Sequence, residues 1–278
     1  MSEVIDCTTP DGLAAGVEAA SRAVRNGQVV VLPTDTVYGI GCDAFSADAV
    51  AAVLAAKGRG REMPPPVLVP NIRTVDGLAR DVPDDARILI AAFWPGALTL
   101  VLRAQPSLSW DLGETNGTVA VRMPDDATAL DLLSAIGPMA VTSANRTGQP
   151  PAATAQEARE QLGESVAVYL DGGPATASTA SGPPTASTIL DLTGAEVVTL
   201  REGSITREAI DAALETGRAR LAQERLEAQA EAERVAAAAR RAELASIRPG
   251  KGVGRPAKKP PTAGAAKGSR VAGRRRDE

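Results

Sequence analysis

The 278-residue sequence has no histidine, two cysteines and only six Phe, Trp and Tyr residues. Without histidine there is no Ser-His-Asp or Cys-His nucleophile pair and no imidazole to ligate a metal. Two cysteines, Cys7 and Cys42, neither close a four-ligand zinc site by themselves nor form a disulfide framework, which points to a reducing compartment and a cytoplasmic protein. So few aromatics leave no base-stacking surface of the kind that holds single-stranded nucleic acid. No apolar run approaches the ~20 residues of a membrane span, and Met1-Ser2-Glu3 lacks the basic and apolar regions of a signal peptide. Chemistry in such a chain rests on positioning, cations and hydroxyls.

Hydrophobic residues make up 44% of the chain, so the core is built from Ala, Val, Leu and Ile. The length allows one or two domains. The net charge of −4 is unevenly spread: residues 249–278 hold nine Lys and Arg against two acids, a charge of +7, which leaves −11 on residues 1–248. The tail is Pro, Gly, Ala, Lys and Arg, cannot bury a core, and is predicted to be disordered. Residues 205–247 are rich in Ala, Glu and Arg at helical spacings, which predicts one or two helices, the second mostly solvated.

Before residue 203, helical and strand patterns alternate. Helices are predicted over 11–26 (stopped by Gly27), from Ser46 to about Lys57, from Thr74, from Asp84, over 125–136 (stopped by Gly137), and from Thr154, whose Glu157 completes a capping box. Strands are predicted at Gln28–Leu32, Val67–Val69, Leu98–Arg103, Thr118–Arg122, Met139–Thr142, Val166–Leu170, Thr188–Leu192 and Val197–Arg201, with a Gly/Ser/Thr/Pro-rich loop over 171–187. The fold class is α/β.

Chemistry-bearing residues gather where these elements end. Pro33–Tyr38 offers Thr34, Asp35, Thr36 and Tyr38 past a buried strand; it reads as an ordinary turn, or as a site beyond a strand's carboxyl end. Lys57-Gly58-Arg59-Gly60-Arg61 sets three cations at a helix end, serving the helix dipole or gripping an anion. Arg122 and Arg201 each close an apolar strand, and Ser143 and Asn145 alternate on an extended segment, offering a hydroxyl and an amide. Gly39-Ile-Gly41-Cys-Asp-Ala44 matches the dinucleotide pattern G-x-G-x-x-A, but no helix opens directly behind it, and there is no G-x-x-x-x-G-K-[ST]. Phe93-Trp94-Pro95-Gly96 reads as packing plus a turn.

As an ordered set, PTDTVYGIG (33–41), KGR (57–59), FWPGALTLVL (93–102), TVAVRMP (118–124), VTSANRTGQPP (141–151), STILD (187–191) and LREGSI (200–205) resemble the YrdC-like family of threonylcarbamoyl-AMP synthases over about residues 10–215. The resemblance implies a twisted mixed-sheet α/β fold with a concave basic cavity. It implies a catalytic domain over 1–216, followed by an Ala-rich helix over 217–248 and the basic tail 249–278. The activity it implies joins L-threonine, bicarbonate and ATP into threonylcarbamoyl-AMP and pyrophosphate, with Mg²⁺ carried on the phosphates and no metal site of its own. Downstream proteins then transfer the threonylcarbamoyl group to tRNA. By position, Lys57, Arg59, Ser143 and Asn145 match the catalytic set. Thr34, Arg122 and Ser187 match threonine-binding positions. Lys57, Arg61, Thr118, Ser143, Pro151 and Arg201 match ATP-binding positions. Two other readings stand beside it: a non-catalytic RNA-binding or ribosome-associated protein, supported by the basic tail's capacity for weak tRNA contact, and carbamoyl transfer to another acceptor.

Overall fold

The computed structural model describes residues 2–175 and 185–246. The chain divides into two units, Met1–Arg225 and Leu226–Glu278. The predicted disorder of 249–278 and the middle of the 171–187 loop fall outside the described residues.

Unit 1 is built on one ten-stranded sheet. Its strands are β1 (Glu3–Asp6), β2 (Val30–Leu32), β3 (Gly39–Asp43), β4 (Val67–Leu68), β5 (Leu98–Arg103), β6 (Thr118–Arg122), β7 (Met139–Ser143), β8 (Val168–Asp171), β9 (Thr188–Asp191) and β10 (Val198–Arg201). The spatial order is β1-β8-β2-β3-β7-β4-β6-β5-β9-β10, with parallel and antiparallel pairs mixed.

The helices begin and end on local chemistry. Helix α1 (Pro10–Arg25) starts with Thr9 accepting from the Gly12 amide and with Pro10 in the first turn, where no intrahelical N–H is needed. Helix α2 (Ala47–Lys57) is capped by Ser46, and α5 (Ala127–Ile136) by Asp126. Helices α3 (Thr74–Leu78) and α4 (Asp84–Phe93) lie between β4 and β5. At α6 (Ala155–Leu162), Thr154 accepts from the Glu157 amide. Glu157 reaches back one residue further than the predicted box, accepting from Ala153 N–H at 2.8 Å. The Ala-rich stretch is a single helix, α7 (Arg207–Ser246). In unit 1 it buries Ile210 and Leu214, and Arg218 and Arg225 pair with Asp85 and Asp84 in the first turn of α4. In unit 2 the described side chains of 226–244 are exposed.

Two strands differ from the sequence expectation. Glu3–Asp6 is a strand, pairing in parallel with β8. The glycine-rich segment that matched the dinucleotide pattern without a helix behind it is strand β3, paired to β2 and β7. A Cβ on Gly39 or Gly41 would meet the Val141 side chain at 2.6 or 2.7 Å, so these glycines make room for a neighbouring strand, not for a pyrophosphate.

Alternation along the strands decides where the cavity lies. Leu98, Leu100 and Leu102 point into a large core with α2, α3 and α4, as do Val119 and Val121. Val30 and Leu32, on the opposite face, pack with α1 and α5. Thr99, Val101, Thr118, Ala120 and Arg122 fall on the face opposite the large core, and all of them line a cavity of about 490 Å³.

Candidate active site

The first wall segment follows β2, which Pro33 ends. Thr34 Oγ1 donates to the Val37 carbonyl at 2.6 Å and accepts from the Thr36 amide at 3.2 Å. Its 3.0 Å contact with Thr36 Oγ1 is therefore a bond in which Thr36 donates, because Thr34 has only one proton. Thr36 Oγ1 in turn accepts from Arg122 Nη1 at 2.9 Å. The hydroxyl of Thr34 is thus fully committed to holding the turn and, through Thr36, Arg122. Arg122 also donates from Nε to the Gly96 carbonyl at 2.9 Å and from Nη2 to Asp35. Both members of that ion pair are largely buried, and Asp35 accepts a further bond from the Asp125 amide. Burial pushes the Arg122 guanidinium below its ordinary value and Asp35 opposes that. Three of its five N–H groups are used, leaving two for a ligand.

The second segment is the end of α2. Gly58 sits in the left-handed region at φ 61, its amide bonded to Ala55 O at 3.0 Å while the Arg59 amide reaches Leu54 O at 2.9 Å. This glycine reversal turns the chain back at Lys57 and Arg59. Lys57 is 4% exposed, and its ammonium donates to the Ser143 carbonyl, to the Asn145 carbonyl at 2.6 Å and to Asn145 Oδ1 at 3.3 Å. Burial, then the charge of Arg59, depresses the Lys57 ammonium to about 8. Asn145 spends its Nδ2 on the Arg146 and Gln149 carbonyls, at 2.9 and 2.7 Å. Arg59 donates from Nη1 to Thr142 Oγ1 at 2.9 Å, while its buried Nε has no protein partner.

The third segment joins β9 and β10 to β5. Arg201 donates from Nε to the Ser187 carbonyl and from Nη2 to Ser187 Oγ, both at 2.9 Å. Ser187 Oγ lies 2.8 Å from Thr99 Oγ1. Arg201 is lowered first by burial and then by the charges of Arg122 and Arg59, and all three guanidiniums line the same space. Glu114 is the one acid among the described residues that line it. The wall carries an excess of positive charge and hydroxyl donors, which suits a ligand or ligands carrying several anionic groups.

Of the residues singled out from the sequence, Thr34, Arg59, Thr118, Arg122, Ser143, Pro151, Ser187 and Arg201 line this cavity together. Lys57 and Asn145 do not line it. They lie behind the wall, bonded to one another and to the backbone that carries Ser143. Arg61 also does not line it: its exposed side chain pairs with Asp111 at 2.7 Å. Sequence reading passed over Thr99, Thr142 and Glu114, which line the cavity, and Asp35's role as counter-ion to Arg122. Thr99 left a signal, a hydroxyl within the otherwise apolar strand Leu98–Leu102, where a buried polar atom needs a partner.

The family model described as "Telomere recombination" (Sua5_yciO_yrdC) matches residues 22–203. A Mycobacterium tuberculosis protein, provisionally named threonylcarbamoyl-AMP synthase, is 54% identical over 210 residues, which cover 76% of this chain and 94% of its own. The threonylcarbamoyl-AMP synthase of Bacillus subtilis is 38% identical over 200 residues, 71% of this chain and 56% of its own. The crystal structure of P. abyssi Sua5 complexed with L-threonine superposes with a TM-score of 0.69 at 32% identity, covering 77% of this chain and 60% of that one. The chain therefore spans a little more than half the length of the last two relatives. E. coli YciO shares the fold, with a TM-score of 0.65 over 76% of this chain. With a match across residues 22–203, the chain belongs to the Sua5/YciO/YrdC family.

Proposed function

We propose that this protein condenses L-threonine, bicarbonate and ATP into threonylcarbamoyl-AMP and pyrophosphate, as a nucleotidyltransferase supplying threonylcarbamoyladenosine modification of tRNA. The observation that carries the reading is the cavity's charge: Arg59, Arg122 and Arg201 line one space, with Glu114 the one acid among the described residues of its wall. The names borne by its relatives support the same reaction. The threonine amine attacks carbon dioxide drawn from bicarbonate and loses a proton, giving a carbamate. A carbamate oxygen then attacks the α-phosphorus of ATP, and the bond to pyrophosphate breaks. Carboxylate, carbamate and triphosphate must approach one another, so fixed cations and aligned donors are what the reaction needs; alignment alone recovers on the order of 7–11 kcal/mol. No enzyme nucleophile is required, in keeping with a chain that has no histidine.

In this reading Arg122 receives the threonine carboxylate on its two free N–H groups, with Thr34 and Ser187 beside it. Arg59, with its unpartnered Nε, and Arg201 receive phosphate oxygens, and Thr118, Pro151 and Ser143 complete the nucleotide's surroundings. Lys57 and Asn145 fix the backbone of Ser143. Arg61 reaches the nucleotide only by leaving Asp111. Mg²⁺ enters with ATP as part of the substrate. The reaction is assigned to residues 1–216, with the Ala-rich segment 217–248 and the tail 249–278 outside it, and the product passes to proteins that transfer it to tRNA. The test is pyrophosphate release by the purified chain with ATP and Mg²⁺, omitting threonine or bicarbonate in turn. Release should require both. Release independent of either, or none at all, would discard the reading.

A further inference from the structure

Thr99 carries a second inference, which rests on threonine entering this cavity. Ser187 and Thr99 stand 88 positions apart in sequence, and parallel pairing of β5 with β9 brings their hydroxyl oxygens to 2.8 Å. Arg201 donates to the same Ser187 oxygen at 2.9 Å. Two hydroxyls own two protons, and the bond between them uses one, so one proton is left over. If Ser187 donated to Thr99, the spare proton would belong to Thr99, the more deeply buried of the two at 1% exposed against 5% for Ser187, with no other hydrogen-bond acceptor among the described residues. That would leave a buried donor unmet. If Thr99 donates, Ser187 accepts two bonds, one from a cation, and keeps its own proton free. Accepting from Arg201 polarises Ser187 and makes that O–H a stronger donor.

We infer that Thr99 is a positioning residue: it donates to Ser187 Oγ and so turns the Ser187 hydroxyl into a donor aimed at an anionic oxygen of bound L-threonine. Its counterpart across the cavity works the other way. Thr34 has no proton or lone pair left, so it braces the site and presents no uncommitted hydroxyl. Of these two hydroxyl pairs, the one at Ser187 is left with a proton to give.

The inference is tested on the full chain by calorimetric titration with L-threonine, alongside pyrophosphate release, for wild type, Thr99→Val and Thr99→Ser. Valine keeps the shape and removes the donor. Losing the hydrogen bond that orients the Ser187 hydroxyl should weaken threonine binding ~5-fold and raise the threonine KM by a similar factor. The ATP KM and the melting temperature should stay near wild type, and Thr99→Ser should restore binding. Wild-type threonine affinity in Thr99→Val, or an equal rise in both KM values, would overturn the inference. A wild-type chain that fails to bind threonine overturns both this and the proposed function. A wild-type chain that binds threonine but releases no pyrophosphate, with weakened binding in Thr99→Val, removes the synthase reading and leaves the role of Thr99 standing.

Discussion

Arg122 and Arg59 line the same cavity, yet their surroundings are opposite. Arg122 is held by a carbonyl, a hydroxyl and the Asp35 carboxylate, so its charge is offset before any ligand arrives. Arg59 has one hydroxyl partner, Thr142, a buried Nε with no hydrogen-bond partner among the described residues, and the Lys57 ammonium nearby; Glu62 opposes the effect of its burial only through space, with no salt bridge between them. A compensated cation is a fixed shape that recognises a ligand through directed donors. An uncompensated one holds unspent electrostatic attraction, strongest where charge builds up during reaction. The difference separates a recognition side of the cavity from a reaction side.

The largest effect should follow from removing the uncompensated charge. Arg59→Ala is expected to lower the turnover of threonine- and bicarbonate-dependent pyrophosphate release by roughly 10²–10³, the size seen when one transition-state donor is lost. Its melting temperature should barely change, since Arg59 has only one hydrogen bond to lose. Steady-state kinetics beside a thermal melt decide it. A variant with near-normal turnover would erase the distinction between the two arginines.

Asp35→Asn attacks the other side and should do the reverse. It keeps the shape of the side chain but leaves a 6%-exposed guanidinium without its counter-charge. Breaking a buried pair from one side costs about 3–5 kcal/mol. For a domain of this size, the lower figure alone corresponds to a drop of roughly 6–12 °C in melting temperature. The turnover of the folded fraction should fall far less than in Arg59→Ala, while the threonine KM rises. A stable Asp35→Asn protein with collapsed turnover would show that Asp35 acts in the chemistry.

How much of this was legible depended on whether a feature is local. Caps and stops lie within a few residues of what they punctuate: Ser46 and Thr154 do cap α2 and α6, and Gly27 and Gly137 do reverse the chain with positive φ. The end-of-strand positions of Arg122, Ser143 and Arg201 followed from the same punctuation. Strand β3 was hidden because Gly39 and Gly41 carry no apolar signal; the reason for them, the Val141 side chain, is about a hundred residues away. Strand β1 is four residues of mixed polarity with no period to read. The pairings inside the site, Arg122 with Asp35 and Thr99 with Ser187, are set by sheet register and turn geometry, which residue order does not display. The places where Lys57 and Asn145 lie, behind the wall, follow from the same long-range geometry.

Lys57 offers the smallest and finest probe of the comparison, because it is a cation answered by dipoles and by no carboxylate. Its folded value is depressed from 10.5 to about 8. Between these values the unfolded chain binds the proton and the folded one does not, so this group alone makes stability rise with pH across that window. The buried thiols act in the opposite sense. Burial raises Cys7 to about 11 and Cys42 to about 12 from an ordinary 9.0, so above pH 9 the folded chain keeps protons that the unfolded chain has lost, and stability falls. The two effects overlap only above about pH 9. Melting temperatures measured from pH 7.5 to 10.5 should therefore climb slightly between 8 and 9 and then decline. In Lys57→Met the protein should be less stable throughout, since the Ser143 and Asn145 carbonyls lose their donor, and the climb should be absent while the decline remains. An identical climb in Lys57→Met would assign it to another group, and would mean that carbonyl dipoles compensate this ammonium as fully as Asp35 compensates Arg122.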